Sequence, residues 1–137
     1  MNTKKHSFAT IIDCVREFHD SFGIANGDSP QGQLDEGTVR LRHRLMAEET
    51  EEYLEAALAG DSVEVADALG DQLYLCGTIL SHGMQHVIED VFMEIQSSNM
   101  SKLGADGQPI YREDGKVMKG PNYFRPNIAA ILESVEA

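Results

Sequence analysis

Apolar side chains recur every three to four residues in several separate stretches of the chain, which is the spacing of one helix face. Ser7, Thr38 and either Asp61 or Ser62 precede such stretches and are typical N-cap residues. Glycines end the second and third stretch. Five helices are therefore predicted, over residues 7–21, 38–59, 62–82, 86–101 and 127–135.

Two connecting segments have their own character. Residues 23–37 are rich in glycine and form a long loop, and long loops in small domains often cover a site or meet a partner chain. Residues 110–117 contain two short runs around Asp114 and Gly115, which predicts a small hairpin or an ordered loop. The predicted fold class is therefore all-α, a helical bundle of four to five helices with a short hairpin-like loop near the C-terminus.

Acidic residues lie on predicted helix faces that should point inward. In the second helix, three glutamates share an arc with Leu41, Leu45 and Ala56: these are Glu48, Glu49 and Glu52. In the third helix, a row is formed at positions i, i+3 and i+7 by Glu64, Asp67 and Asp71. Clustered carboxylates repel one another unless a cation meets them, and hard oxygen ligands suit Mg²⁺ or Mn²⁺ better than Zn²⁺. The competing interpretation is a set of solvated surface acids.

Length and charge limit the classes of function. With 137 residues, the chain is predicted to be a single domain spanning residues 1–137. A net charge of −12 argues against binding to nucleic acid or to an anionic membrane. It leaves a nucleotide substrate open, because bound metal would invert the charge locally.

The cysteines and the N-terminal segment indicate a cellular location. Cys14 and Cys76 fall on or near apolar helix faces, which is typical of reduced core thiols. Residues 1–7 are polar and basic without an apolar segment behind them, and apolar runs elsewhere are too short to span a bilayer. A cytoplasmic protein with no membrane partner is expected.

Several basic residues are weaker candidates for function. His19 lies near the end of the first helix, where a histidine is usually structural. Arg42 lies closer to the acidic inward arc than Arg40 or Arg44 does. Local positive charge beside flexible backbone, which suits phosphate, is provided by Lys102, Lys116 and Lys119.

The ordered motifs resemble those of one enzyme superfamily. Glu48-Glu49-x-x-Glu52 followed by Glu64-x-x-Asp67 is similar to the EExxE…ExxD signature of the all-α nucleoside triphosphate pyrophosphohydrolases. Residues 67–78, 98–103, 115–120 and 123–126 resemble its small MazG-like branch, which is often described as phosphoribosyl-ATP pyrophosphohydrolase-like. True phosphoribosyl-ATP hydrolases of histidine synthesis differ after the acidic motif, so the resemblance does not imply that activity.

The resemblance implies Mg²⁺-dependent hydrolysis of a (deoxy)nucleoside triphosphate to monophosphate and pyrophosphate, in the service of nucleotide-pool sanitation. It implies metal ligation by Glu49, Glu52, Glu64 and Asp67, with Glu48 as a further ligand or as general base. Phosphate or sugar would be bound by Asn99, Lys102, Lys116 and Lys119, and Asp71 would orient a ligand or a lysine. A homodimer or homotetramer is also implied.

Two other classes of function compete with this interpretation. A di-iron carboxylate protein would carry Glu-x-x-His pairs, and no glutamate here has a histidine three residues later. A non-catalytic helical interaction module, stabilised by metal on its acids or docking through residues 23–37, fits the same pattern. Turnover of a panel of nucleotides distinguishes that module from an enzyme.

Overall fold

The computed structural model describes residues 6–136 and confirms the all-α class. Its helices are α1 (Phe8–Ser21), α2 (Glu36–Leu58), α3 (Ser62–Tyr74), α4 (Gly77–Ser81), α5 (Ile88–Met100) and α6 (Ile128–Glu136). Extended pairing within residues 6–136 is an isolated antiparallel bridge between Tyr111 and Val117. This bridge forms the predicted hairpin-like loop, and Gly115 takes a positive φ of 88° in its turn.

The chain divides into two compact units, Met1–Gln85 and His86–Ala137. The first unit contains α1 to α4, in which α2 packs against α3 and α1 against α4. Its core includes the fully buried side chains of Val15 and Leu80. The second unit contains α5 and α6, which pack against each other.

The helix starts follow from local capping. The Ser7 hydroxyl accepts a hydrogen bond from the backbone N–H of Thr10 at 3.2 Å, as the prediction for α1 requires. Helix α2 begins earlier than predicted, because Asp35 rather than Thr38 is its N-cap: the Asp35 carboxylate accepts from the Thr38 N–H at 2.9 Å. Asp61 caps α3 and accepts from the backbone N–H groups of Val63 and Glu64.

The third predicted helix is divided into α3 and α4. Around Leu75 and Cys76 the hydrogen bonds shorten to i→i−3 spacing, since the Cys76 N–H donates to the Leu73 carbonyl and the Thr78 N–H to the Leu75 carbonyl. Helix α4 then begins at Gly77. Because of this interruption the described residues form six helices, one more than the largest number predicted.

The loop of residues 23–37 is hydrogen-bonded to the end of α4 and to the residue that follows it. The Gly27 N–H donates to the Leu80 carbonyl at 2.8 Å, and the Gln31 N–H donates to the His82 carbonyl at 3.0 Å. A Cβ on Gly27 would lie 2.8 Å from the backbone nitrogen of Gly83, so the two chain segments touch directly. The loop is therefore part of the ordered wall of the first unit.

The two cysteines differ in environment. Cys76 is buried, which agrees with a core thiol, and burial raises the pKa of that thiol. Cys14 is exposed, so the expectation of a core thiol is wrong there. Separately, no helix within the described residues combines the length and apolar character needed to cross a membrane.

Candidate functional site

The packing of α2 against α3 brings three carboxylates together. Glu49, Glu52 and Asp71 each offer an oxygen, and these oxygens all lie within 4.8 Å of one another. Glu49 and Asp71 are half-buried, whereas Glu52 is exposed. This carboxylate cluster has the size and the oxygen chemistry of a divalent cation site.

Glu49 is the electrostatically strained member of the cluster. Its Oε2 atom is buried and has no hydrogen-bond partner among the described residues. Desolvation raises the pKa of Glu49, and the negative charges of Glu52, Asp71 and Asp67 raise it further. Within residues 6–136 no basic side chain forms an ion pair with the cluster. The Glu49 carboxylate therefore has an oxygen lone pair available to a cation, and no positively charged side chain of the described residues neutralises it.

The other predicted ligands lie in a neighbouring cleft. Glu52, Glu64 and Asp67 line a cleft of about 270 Å³ between α2 and α3. Glu52 belongs to both the cleft and the cluster, and Asp67 is close enough to act on the pKa of Glu49. The structure thus places Glu49, Glu52, Glu64 and Asp67 in one connected acidic region.

Two residues are placed differently from their expected roles. Glu48 is exposed and belongs neither to the cluster nor to the cleft, so its role as ligand or base stays a prediction. Asp71 was expected to orient a ligand, but its carboxylate lies in the cluster itself. Helical spacing from Glu64 predicts that Asp71 belongs to the same row of acidic residues on α3. It does not predict that the Asp71 carboxylate meets Glu49 and Glu52 of α2.

A second pocket of about 490 Å³ adjoins the cluster, because Glu49 and Asp71 form part of its wall. Most of its other lining is apolar or aromatic, and the loop of residues 23–37 contributes several residues. The Phe18 and Tyr74 rings stand edge to face in this wall, with centroids 5.5 Å apart. Phe22, which stacks near Phe18 at the end of α1, is 70% exposed and is not part of the lining.

Two residues that were weak candidates from the sequence, His19 and Arg42, form a polar corner of this pocket. His19 is buried, and its Nδ1 lies 2.7 Å from Asn26 Oδ1. Arg42 is also buried and donates from Nε to the Thr78 hydroxyl at 3.0 Å. The sequence contains one signal that indicates Arg42 as part of the site. Arg42 precedes Glu49 by seven residues, which is two helical turns, so both lie on nearly the same helix face.

The predicted phosphate-binding residues belong to the unit His86–Ala137 and are described within it. Gly120 brings two of their segments into contact, since a Cβ there would lie 2.7 Å from the Lys102 carbonyl oxygen. The Lys119 ammonium stands 4.7 Å from the centre of the Tyr123 ring. Asn99 is exposed on α5, its carbonyl accepts from the Lys102 N–H at 3.2 Å, and Lys116 is exposed in the hairpin-like loop. Their roles stay predictions.

Comparison with known families gives a match over most of the first unit. The family model of phosphoribosyl-ATP pyrophosphohydrolase matches residues 15–99, which include the carboxylate cluster and the cleft. None of the curated proteins compared with the chain matches it significantly.

Among solved structures, the chain is similar to a protein of Exiguobacterium sp. 255-15 that is described as an inferred NTP pyrophosphohydrolase. The identity is 23%, and the match covers 97% of this chain and 96% of that one. The TM-score of 0.30 is too low for this likeness to support a conclusion.

Proposed function

The chain belongs to the phosphoribosyl-ATP pyrophosphohydrolase family, and on this premise we propose that it hydrolyses a (deoxy)nucleoside triphosphate to monophosphate and pyrophosphate. The observation that carries the proposal is the carboxylate cluster, in which Glu49 keeps a buried oxygen without a partner. An acidic pocket next to an apolar one suits a ligand with a metal-bound polyphosphate at one end and an aromatic base at the other.

The donor set of the cluster fits a divalent cation. The candidate ligands are carboxylate oxygens, which favour Mg²⁺ or Mn²⁺ over Zn²⁺. We propose that Glu49, Glu52 and Asp71 hold one ion, and that Glu64 and Asp67 extend the site through the adjoining cleft. A bound ion there would neutralise phosphate oxygens and lower the pKa of a water molecule. The raised pKa of Glu49 supports this assignment, because the same repulsion is relieved when a cation binds.

The remaining roles are assigned to side chains outside the cluster. We propose that Glu48, an exposed carboxylate next to Glu49 in the chain, accepts a proton from the attacking water. Lys102, Lys119 and Lys116 would hold phosphate oxygens, and Asn99 would donate a hydrogen bond to phosphate or sugar. Protonated Glu48 would then return its proton to solvent after pyrophosphate leaves.

Exposed apolar side chains support the proposed homodimer or homotetramer. Leu69 and Leu73, both on α3, are 47% and 55% exposed. Leu58 and Val63, at the junction of α2 and α3, are 80% and 75% exposed. Burying such side chains against a second copy would stabilise an oligomer. We propose further that the protein is cytoplasmic and acts on the nucleotide pool.

A pyrophosphate-release assay tests the proposed function. The purified protein is incubated with Mg²⁺ and a panel of nucleoside triphosphates and their deoxy forms, with phosphoribosyl-ATP added to the panel. We expect pyrophosphate and monophosphate in equal amounts from at least one of them, and chelation of the metal should stop the reaction.

Matched variants connect the activity to the cluster. Glu49→Gln and Asp67→Asn should abolish pyrophosphate release and leave the helical circular dichroism nearly unchanged. Glu51→Gln, which changes an exposed acid of the same helix outside the cluster, should keep the activity. Full activity in both Glu49→Gln and Asp67→Asn would contradict the site, and no turnover of any nucleotide would favour the non-catalytic module.

A further inference from the structure

Arg42 is a buried cation for which the protein supplies little compensation. Its residue is 8% exposed, and the desolvation that lowers the pKa of its guanidinium is the largest influence on it. Its Nε donates to Thr78 Oγ1, and within residues 6–136 no carboxylate forms an ion pair with it. The other N–H groups of the guanidinium have no hydrogen-bond partner among the described residues, and their nitrogen atoms are not fully enclosed, so they are open to an acceptor from outside the protein.

The same corner is kept open by Gly77. A Cβ at this position would lie 2.7 Å from His19 Nε2 and 2.9 Å from Arg42 Nη2. His19 is held by Asn26 through Nδ1, and both His19 and Arg42 line the 490 Å³ pocket. The missing side chain therefore leaves room for two polar groups side by side in the wall of this pocket.

The position of Arg42 favours contact with a base over contact with phosphate. Arg42 precedes Glu49 by seven residues on α2, so the two are separated by about 10 Å along the helix axis. The lining of the pocket, which lies wholly within the described residues, contains no lysine and three carboxylates, those of Asp35, Glu49 and Asp71. Part of the wall is apolar and aromatic and is formed by Phe18, Leu41, Leu45 and Tyr74. Such a wall suits a flat aromatic group better than a polyphosphate.

We infer that Arg42 determines base specificity by donating a hydrogen bond from its guanidinium to an exocyclic carbonyl oxygen of the bound nucleobase. Uracil, thymine, cytosine, guanine and hypoxanthine carry such an oxygen, whereas adenine presents an amino group there. A buried donor left facing an amino group loses its acceptor, and this loss disfavours adenine relative to a base that presents an oxygen. This inference rests on the proposed function in one respect, namely that the ligand is a nucleotide.

Binding of nucleosides without metal tests the inference independently of hydrolysis. Titrations followed by protein NMR chemical shifts, in the presence of EDTA, compare deoxyuridine, deoxycytidine, deoxyguanosine, deoxyinosine and deoxyadenosine. We expect at least one carbonyl-bearing nucleoside to bind about 10- to 100-fold more tightly than deoxyadenosine. Deoxyinosine and deoxyadenosine form a matched pair, since they differ in the 6-oxo and 6-amino groups.

Two variants of Arg42 and one control complete the experiment. Arg42→Met should remove the preference for carbonyl-bearing nucleosides and leave deoxyadenosine binding within about twofold. Arg42→Lys keeps the charge but loses the planar fork, and should weaken the preferred nucleoside about 10-fold. Arg40→Met removes an exposed arginine of the same helix, whose ion pair with Glu36 is 75% and 77% exposed, and should change nothing.

Several outcomes would overturn the inference. Tightest binding of deoxyadenosine, equal binding of all five nucleosides, or no nucleoside binding at all would each contradict it. An unchanged preference in Arg42→Lys would do the same even if Arg42→Met failed to fold. If Arg42→Met instead weakened inhibition by tripolyphosphate, which has no base, Arg42 would be a phosphate ligand. If the wild-type protein released no pyrophosphate but kept the nucleoside preference, the result would contradict the proposed function and not this inference.

Discussion

Replacing Glu49 by glutamine should change the stability of this protein in opposite directions with and without divalent metal. The folded protein raises the pKa of Glu49 above its ordinary value of 4.5, because the carboxylate is desolvated and faces Glu52 and Asp71. A carboxyl group with a raised pKa binds more protons in the folded state than in the unfolded state. The contribution of Glu49 to metal-free stability is therefore greatest below pH 4.5 and is lost as the pH rises through the raised pKa.

The glutamine side chain has nearly the same shape but cannot ionise. At pH 7 in EDTA, Glu49→Gln should therefore have a higher midpoint of thermal unfolding than the wild type, and the difference should vanish near pH 4. Metal reverses the order. At a free Mg²⁺ concentration 100 times the dissociation constant, binding stabilises the wild type by about 2.7 kcal/mol, which is roughly 10 °C for a chain of this length.

Differential scanning calorimetry at pH 4, 5.5 and 7, with EDTA or with MgCl₂, measures both effects. The wild type should gain stability from Mg²⁺, and Glu49→Gln should gain little because one ligand oxygen is no longer charged. Glu51→Gln controls for the loss of a negative charge elsewhere on α2. A Glu49→Gln variant that is less stable than the wild type in EDTA at pH 7, or that keeps the full Mg²⁺ shift, would refute this reasoning.

Two further predictions concern the phosphate-binding segment and the polar corner. Lys119→Ala should raise the Michaelis constant about 10-fold or more and leave the Mg²⁺-induced thermal shift intact; an unchanged constant would remove Lys119 from phosphate binding. Gly77→Ala should lower the free energy of unfolding by about 1–3 kcal/mol in urea titrations, because its Cβ meets His19 and Arg42. Gly70→Ala, whose Cβ meets nothing within 4 Å, is the control and should be neutral or stabilising.

The parts of the fold that depend on neighbouring residues were predictable from the sequence. Ser7 caps α1 as predicted, and Asp61 is one of the two caps predicted for α3, because an N-cap needs only its own side chain and the next few N–H groups. The start of α2 was misplaced because Asp35 and Thr38 are both good caps, and the hydroxyl of Thr38 donates to the Asp35 carboxylate instead of capping. Propensity alone does not decide between two adjacent caps.

The parts that depend on tertiary contacts were not predictable in the same way. The apolar pattern runs through Leu75 and Cys76 without a break, but the helix is interrupted there and Gly77 comes to lie against His19 and Arg42. That contact joins residues far apart in sequence, which periodicity does not report.

The acidic site has one feature that follows from the sequence and one that depends on tertiary contacts. The rows on α2 and α3 follow from helical spacing, and the structure brings Glu49 and Glu52 together as a shared face requires. Which residue of the opposite row meets them is set by the register of the helix pair, and that register selects Asp71. Glu48 lies on the same arc by sequence but is exposed, because a helical arc of this width extends beyond the contact surface.

Anomalous scattering from Mn²⁺ gives a direct measurement of the proposed binding of a divalent cation by these carboxylates. A crystal of the wild-type protein soaked in MnCl₂ should show an anomalous difference peak within about 2.5 Å of carboxylate oxygens from Glu49, Glu52 and Asp71. The same map from a Glu49→Gln crystal should lack that peak. A wild-type map without a peak among these three side chains, at Mn²⁺ concentrations that support pyrophosphate release, would contradict the account.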